Sequence, residues 1–132
     1  MAATILVADD STTMRMIVES ALAQRGWSVV TAGNGRDALA RAQQAAPDLV
    51  VTDWNMPVMG GLDLVRGLRD NAATRAVPVL VLTTEEDQAS KDAARGLGVS
   101  GWLNKPVDPE VLVDMVAELL EYAQVQDQAR AR

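Results

Sequence analysis

Cysteine and histidine are both absent from the 132 residues. Without cysteine there is no disulfide, no thiolate nucleophile and no thiolate metal site. Without histidine there is no imidazole general base, no triad of the serine–histidine type and no histidine-ligated metal. Positive charge is scarce too: 12 Lys and Arg stand against 18 Asp and Glu, a net charge of -6. Nucleic-acid affinity rests on neutralising phosphates with cations, so a chain this acidic is a poor candidate for it. Long apolar runs are also missing. The start, Met1 to Ala8, lacks a basic segment, and its apolar run stops at Asp9-Asp10. No run approaches the ~20 residues that span a bilayer. The expectation is a cytoplasmic protein with no targeting segment and no membrane contact. The remaining chemistry must come from carboxylates, hydroxyls, Lys, Arg and the backbone. Any metal must be one that accepts oxygen ligands.

What is present suffices for one domain. A chain of 132 residues, 48% of them hydrophobic, should bury about two-thirds of its unfolded surface. Short β-rich runs alternate with amphipathic stretches. The runs are Thr4–Ala8, Ser28–Ala32, Leu49–Thr52, Val79–Thr83 and a weaker Gly101–Asn104. The first, third and fourth are almost continuously apolar, as strands buried on both faces read.

Helices are expected between them. After Ser11 as N-cap, Met14, Ile17, Val18, Ala21 and Leu22 make one apolar stripe, ended near Arg25-Gly26. A second helix opens at Asn34 or Gly35 and reaches Ala46 before Pro47; a third spans Gly61–Asp70. A fourth runs Glu86–Leu97 before Gly98, its buried stripe mostly Ala89, Ala93, Ala94 and Leu97. Such small side chains bury little area, so this helix should be the most loosely held. Asp108 caps a fifth, with Pro109 in its first position and Leu112, Met115, Val116, Leu119, Leu120 and Ala123 on one stripe. Five β-α units in series predict an α/β, doubly wound five-stranded parallel sheet with five helices.

In such a sheet the site lies beyond the carboxyl ends of the strands. Those ends carry Asp9-Asp10, Asp53, Thr83-Thr84 and Asn104-Lys105-Pro106. Singly, each has a plain structural reading as a loop, turn or surface residue. Together they gather three carboxylates, two hydroxyls and an ammonium on one edge. Two carboxylates about 5 Å apart repel by roughly 3 kcal/mol at an effective dielectric near 20. A divalent cation would offset that, and oxygen-only donors suit Mg²⁺. Mg²⁺ with Lys and Thr nearby makes a phosphoryl-binding arrangement, in which one carboxylate could be the nucleophile.

Four segments carry a resemblance: Val7-Ala8-Asp9-Asp10-Ser11, Asp53-Trp54-Asn55-Met56-Pro57-Val58-Met59-Gly60-Gly61, Leu82-Thr83-Thr84 and Leu103-Asn104-Lys105-Pro106. With them the chain resembles the receiver domain of two-component response regulators, most closely the single-domain chemotaxis (CheY-like) type, from about Thr4 to about Leu120. The resemblance implies a flavodoxin-like strand order 2-1-3-4-5 and a receiver domain over 1–124, followed by a polar tail over 125–132. It implies Asp53 as phosphoacceptor and Asp9, Asp10, Asp53 and the Asn55 backbone carbonyl as the Mg²⁺ shell, with Mn²⁺ the alternative. Thr83 then binds a phosphoryl oxygen, and Lys105 pairs with the phosphoryl group beside a cis peptide to Pro106. Thr83 and Trp102 are the switch residues. Asn55, Thr84 and Glu85 are tuning positions. The activity implied is that of a phosphoacceptor switch, which catalyses only its own phosphorylation and dephosphorylation.

The partners implied are a histidine kinase of the chemotaxis type, a flagellar motor switch protein or other protein target, and a phosphatase. No nucleic acid is among them, and the chain is expected to be a monomer. A phosphorelay intermediate or phosphate sink without a motor target is the alternative. A Mg²⁺-dependent phosphohydrolase with an Asp nucleophile fits less well, since its second acid is replaced by Trp54 and Asn55. A phosphorylation-independent adaptor is disfavoured by the complete acidic set. Dinucleotide binding fails because Gly33-Asn34-Gly35 lacks the remaining glycine of the fingerprint.

Overall fold

Ile5 and Leu6 are adjacent in sequence and bury themselves in opposite halves of the protein. That is the consequence of a strand whose successive side chains point to opposite faces. A computed structural model describes residues 2–84 and 88–130, with side chains described as far as Val125. The elements run β1 (Thr4–Ala8), α1 (Thr12–Ala23), β2 (Ser28–Ala32), α2 (Gly35–Ala45), β3 (Leu49–Asp53), α3 (Gly61–Asp70), β4 (Val79–Thr83), α4 (Gln88–Gly96), β5 (Gly101–Asn104) and α5 (Pro109–Arg130). All strand pairs are parallel and the order is β2-β1-β3-β4-β5. This is the flavodoxin-like, doubly wound arrangement with its chain reversal between β1 and β3.

One core layer sets Leu6, Ala8, Val50, Val79 and Val81 against Ala38 and Ala42 of α2, Leu64, Val65 and Leu68 of α3, and Ala94 of α4. The other sets Ile5, Val7, Leu49, Val51, Leu80 and Leu82 against Val18 and Leu22 of α1 and Leu112, Val113 and Val116 of α5. The three central strands are the three nearly continuous apolar runs. The weak run, β5, lies at the sheet edge and is only half-buried.

The caps form as expected. Ser11 Oγ accepts the Met14 N–H at 3.2 Å, Asn34 Oδ1 accepts the Asp37 N–H at 2.8 Å, and Asp108 Oδ1 accepts the Glu110 N–H at 2.9 Å. Each satisfies a donor that the first helical turn leaves unpaired.

Several expectations need correction. Ile17 is 45% exposed, so the α1 stripe narrows to Val18 and Leu22 with Met14 and Ala21 half-buried. A helix resting on a sheet buries only the narrow strip facing it. On α4 Ala89 is exposed and Ala93 and Leu97 are half-buried; Ala94 is the buried residue among those described. The proposed start of that helix at Glu86 lies outside the described residues. Residues 125–130, which the sequence reads as the start of a polar tail, are helical as the last turns of α5.

Ala46 ends α2 in the left-handed region with φ 47°, while its N–H still reaches Ala42 O at 3.0 Å. An L-residue pays about 1–2 kcal/mol there and glycine does not. Glycine also loosens the unfolded chain, at a cost of about 0.4–1 kcal/mol. Ala46→Gly should therefore stabilise the protein by a net of about 0.5–1 kcal/mol, read as a higher urea midpoint with an unchanged slope.

Candidate phosphoryl site

Parallel strands end at a common edge, and the ladder carries on a residue beyond them. The Asp9 N–H bonds Ala32 O at 3.1 Å, the Trp54 N–H bonds Leu82 O at 3.2 Å and the Lys105 N–H bonds Thr83 O at 2.9 Å. These bonds fix where the side chains of Asp9, Asp53 and Lys105 begin. Gly61 closes the far side. A Cβ on it would lie 2.7 Å from Asp53 O and 3.0 Å from Trp54 Cα. Only glycine lets α3 start this close to the strand that ends in Asp53.

Lys105 Nζ stands between two buried carboxylates, 3.0 Å from Asp9 Oδ2 and 3.2 Å from Asp53 Oδ2. Asp9 is 1% exposed and Asp53 is 6% exposed. Asp9 Oδ1 accepts the Ser11 N–H at 2.9 Å, and Asp53 Oδ1 accepts the Asn55 N–H at 3.4 Å. Asp10 is exposed, yet one carboxylate oxygen from each of Asp9, Asp10 and Asp53 lies within 4.8 Å of the others. The three carboxylates and one ammonium leave a formal charge of -3 + 1 = -2.

Burial pushes the Asp53 carboxyl above its usual range, the Lys105 charge opposes this, and the Asp9 charge adds to the rise. At Lys105 burial acts against the charge, but the bonds to Asp9 and the charges of Asp53 and Asp9 prevail, so its pKa is raised. The ammonium thus under-compensates the carboxylates it touches. An oxygen-only donor set with surplus negative charge fits a hard divalent cation. Asp9, Asp10 and Asp53 would hold it.

Thr83 is fully buried at the end of β4 and Thr84, next to it, is exposed. Glu85 lies outside the described residues. Asn55 is exposed at the site's mouth. The Lys105–Pro106 peptide is cis.

Trp102 of β5 packs its ring 5.5 Å from that of Trp54, tilted by 51°. Lys91 Nζ of α4 stands over the Trp102 ring, 5.9 Å from its centre. Trp102 Nε1 is buried with no hydrogen-bond partner among the described residues. The expected indole at the switch position is therefore half-buried against Trp54 and in reach of α4.

Two residues of this neighbourhood escaped the sequence reading. Arg15 Nη1 donates to Asp9 O at 2.6 Å and Nη2 to Thr12 Oγ1 at 3.2 Å, bracing the acidic turn. Its place one turn into α1 was the available signal. Val58 takes a left-handed φ of 69° in a three-residue turn closed by the Met59 N–H to Pro57 O at 2.7 Å. That turn presents Met59 O to the Gly35 N–H at 2.8 Å, tying the loop that bears Asn55 to the start of α2. A β-branched residue is unusual at such a φ; Pro57 and Gly60-Gly61 signal a turn, but not that Val58 is its left-handed residue.

A doubly wound sheet with this acidic cluster and bridging lysine defines a class. The model of the response regulator receiver domain matches residues 5–117, and the chain belongs to that family. Receiver domains are phosphoacceptor switches of two-component signalling. The chain is 36% identical to Chemotaxis protein CheY1 of Helicobacter pylori over 118 residues, 88% of this chain and 95% of that one. It is also 36% identical over 118 residues to Protein PilH of Pseudomonas aeruginosa, covering 89% of this chain and 98% of that one. The solved structure of chemotaxis response regulator CheY4 of Vibrio cholerae superposes with a TM-score of 0.84 at 39% identity, covering 90% of this chain and 99% of that one. Among the described residues no helix is long and apolar enough to cross a membrane.

Proposed function

We propose that this protein accepts a phosphoryl group on Asp53 from the phosphohistidine of a chemotaxis-type histidine kinase. It then signals by protein–protein contact in a chemotaxis pathway ending at the flagellar motor switch, from a cytoplasmic, monomeric receiver spanning 1–124. The observation that carries this reading is the Lys105 ammonium seated between Asp9 and Asp53. An Asp53 oxygen attacks phosphorus, a P–O bond forms, and the bond to the donor's imidazole nitrogen breaks with the electron pair leaving on nitrogen. Lys105 faces the phosphoryl oxygens and stabilises their charge, and little further covalent help is needed. Mg²⁺ on Asp9, Asp10, Asp53 and the Asn55 carbonyl would, when bound, neutralise charge on the phosphoryl oxygens.

Thr83 is proposed to take a phosphoryl oxygen and Trp102 to follow it, with Asn55, Thr84 and Glu85 setting the lifetime of the acyl phosphate. Hydrolysis, aided by a phosphatase, resets the protein. The test is acetyl phosphate with and without Mg²⁺, read on a phosphate-affinity gel. Mg²⁺-dependent modification of the wild type supports the reading. A second reading is a phosphorelay intermediate or phosphate sink without a motor target. Equal identity to PilH, a relative not named for chemotaxis, favours keeping it. Return of the phosphoryl group from Asp53 to a kinase or phosphotransfer protein separates the two.

A further inference from the structure

The guanidinium of Arg69, on the last turn of α3, binds no fewer than five main-chain carbonyl oxygens. Nε donates to Leu97 O at 2.8 Å and Nη2 to Gly98 O at 3.3 Å. Nη1 donates to Val77 O at 2.7 Å, Arg75 O at 3.0 Å and Thr74 O at 3.5 Å. The group is half-buried, and burial works against its charge. Guanidinium stays protonated regardless, because its ordinary pKa is so high. Leu97 and Gly98 are the first residues beyond the end of α4, where carbonyl oxygens lack helical partners and carry the negative end of the helix dipole. A fork of fixed donors suits that task better than a point charge does.

The same end of α4 is closed a second way. Gly98 has a φ of +74°, its N–H reaches Arg95 O at 3.0 Å, and the Val99 N–H reaches Ala94 O at 3.2 Å. These are the paired bonds of a Schellman closure. Ala94, the buried residue of α4, also lies in its C-terminal half, and Leu97 and Val99 pack on the same core layer. Toward the other end Gln88, Ala89 and Asp92 are exposed and Ser90, Lys91 and Ala93 half-buried. Among the described residues the helix is therefore buried unequally, more at its C-terminal end.

We propose that Arg69 is the hinge pin of α4. It ties the C-terminal end of the helix to α3 and to the 74–77 turn, so that α4 moves by swinging its N-terminal half about that end. Lys91, over Trp102, travels with the swinging half. The proposal rests on the phosphorylation reading only for the trigger, since the pin itself is a property of the resting protein.

Residue-resolved amide exchange on the full chain tests it. Arg69→Met keeps the apolar stem and removes the donors. In this variant the amides of Leu97, Gly98 and Val99 should exchange at least tenfold faster, while those of β1 and β3 keep their wild-type rates. Arg69→Lys should restore part of the protection. With acetyl phosphate and Mg²⁺, the wild type should change exchange in 88–93 and not in 97–99, and Arg69→Met should extend the change into 97–99. Unaltered exchange at 97–99 in Arg69→Met, or an equal rise across the whole sheet, would overturn the proposal. If Arg69→Met does not fold, Arg69→Lys decides by the same comparison. Failure of the wild type to be modified at Asp53 would count against the phosphorylation reading, and the resting-state arm would still decide the pin.

Discussion

Asp53→Asn should abolish modification by acetyl phosphate and leave the protein folded. The amide oxygen that replaces the carboxylate is too poor a nucleophile to attack phosphorus, and no second carboxylate occupies its place at the end of β3. The same variant makes a thermodynamic prediction. Burial raises the Asp53 pKa, with Lys105 opposing and Asp9 reinforcing. A carboxyl whose folded pKa lies above its unfolded one binds its proton more readily in the folded state. Stability is then highest below the unfolded value near 3.8 and falls as pH rises through the folded value. Without divalent ions, Asp53→Asn should therefore unfold at higher denaturant than wild type at pH 7, and the advantage should shrink as pH falls toward 3.8. Adding Mg²⁺ should stabilise wild type more than the variant. Denaturant titrations in chelator and in Mg²⁺ at several pH values measure all of this. A variant that unfolds outright would contradict the role given to Asp53.

Lys105→Met should damage both fold and function. The substitution leaves Asp9 and Asp53 buried and without their shared counter-charge. Removing one partner of a buried ion pair costs about 3 kcal/mol or more. The loss should show at pH 7 in chelator as a lower denaturant midpoint. Lys105 contributes in the opposite pH sense to Asp53. Its pKa is raised by its bonds and charges against the effect of burial. Its contribution is thus complete below its unfolded value and disappears as pH climbs through the higher folded one. The stability gap between wild type and Lys105→Met should close in strongly alkaline solution. Phosphorylation by acetyl phosphate should slow by about 100-fold to 1000-fold, the usual effect of deleting one preorganised donor to a developing negative charge. An unchanged rate would show that the ammonium serves packing rather than chemistry.

Much of this was legible because a parallel sheet leaves little freedom. Three apolar runs named the central strands, and the polar residues that stop them had to meet at one edge. Asp9, Asp53 and Lys105 do meet there. The sequence could not show that Lys105 would bridge both carboxylates, because that depends on the spacing of β1, β3 and β5 across the sheet. Periodicity also overestimated the buried width of α1 and α4, where Ile17 and Ala89 fall on the solvent side of the contact. It missed Val113, which is buried beside Leu112 in the core layer that α5 shares with Val18 and Leu22 of α1. Arg69 was invisible for a different reason. Its acceptors among the described residues are main-chain oxygens, and a carbonyl leaves no mark in the letters of a sequence.

The paired indoles give this molecule an optical ruler. Trp54 and Trp102 are close and tilted enough for their transitions to couple. Trp27 sits at the opposite end of the sheet, before β2, under the Arg25 guanidinium. The chiroptical signal of the pair depends on mutual orientation, while the distant third indole adds a fixed background. Rotation of Trp102 would therefore be visible as a change in the shape of the circular dichroism band. No label is needed, and the probe is part of the moving element itself.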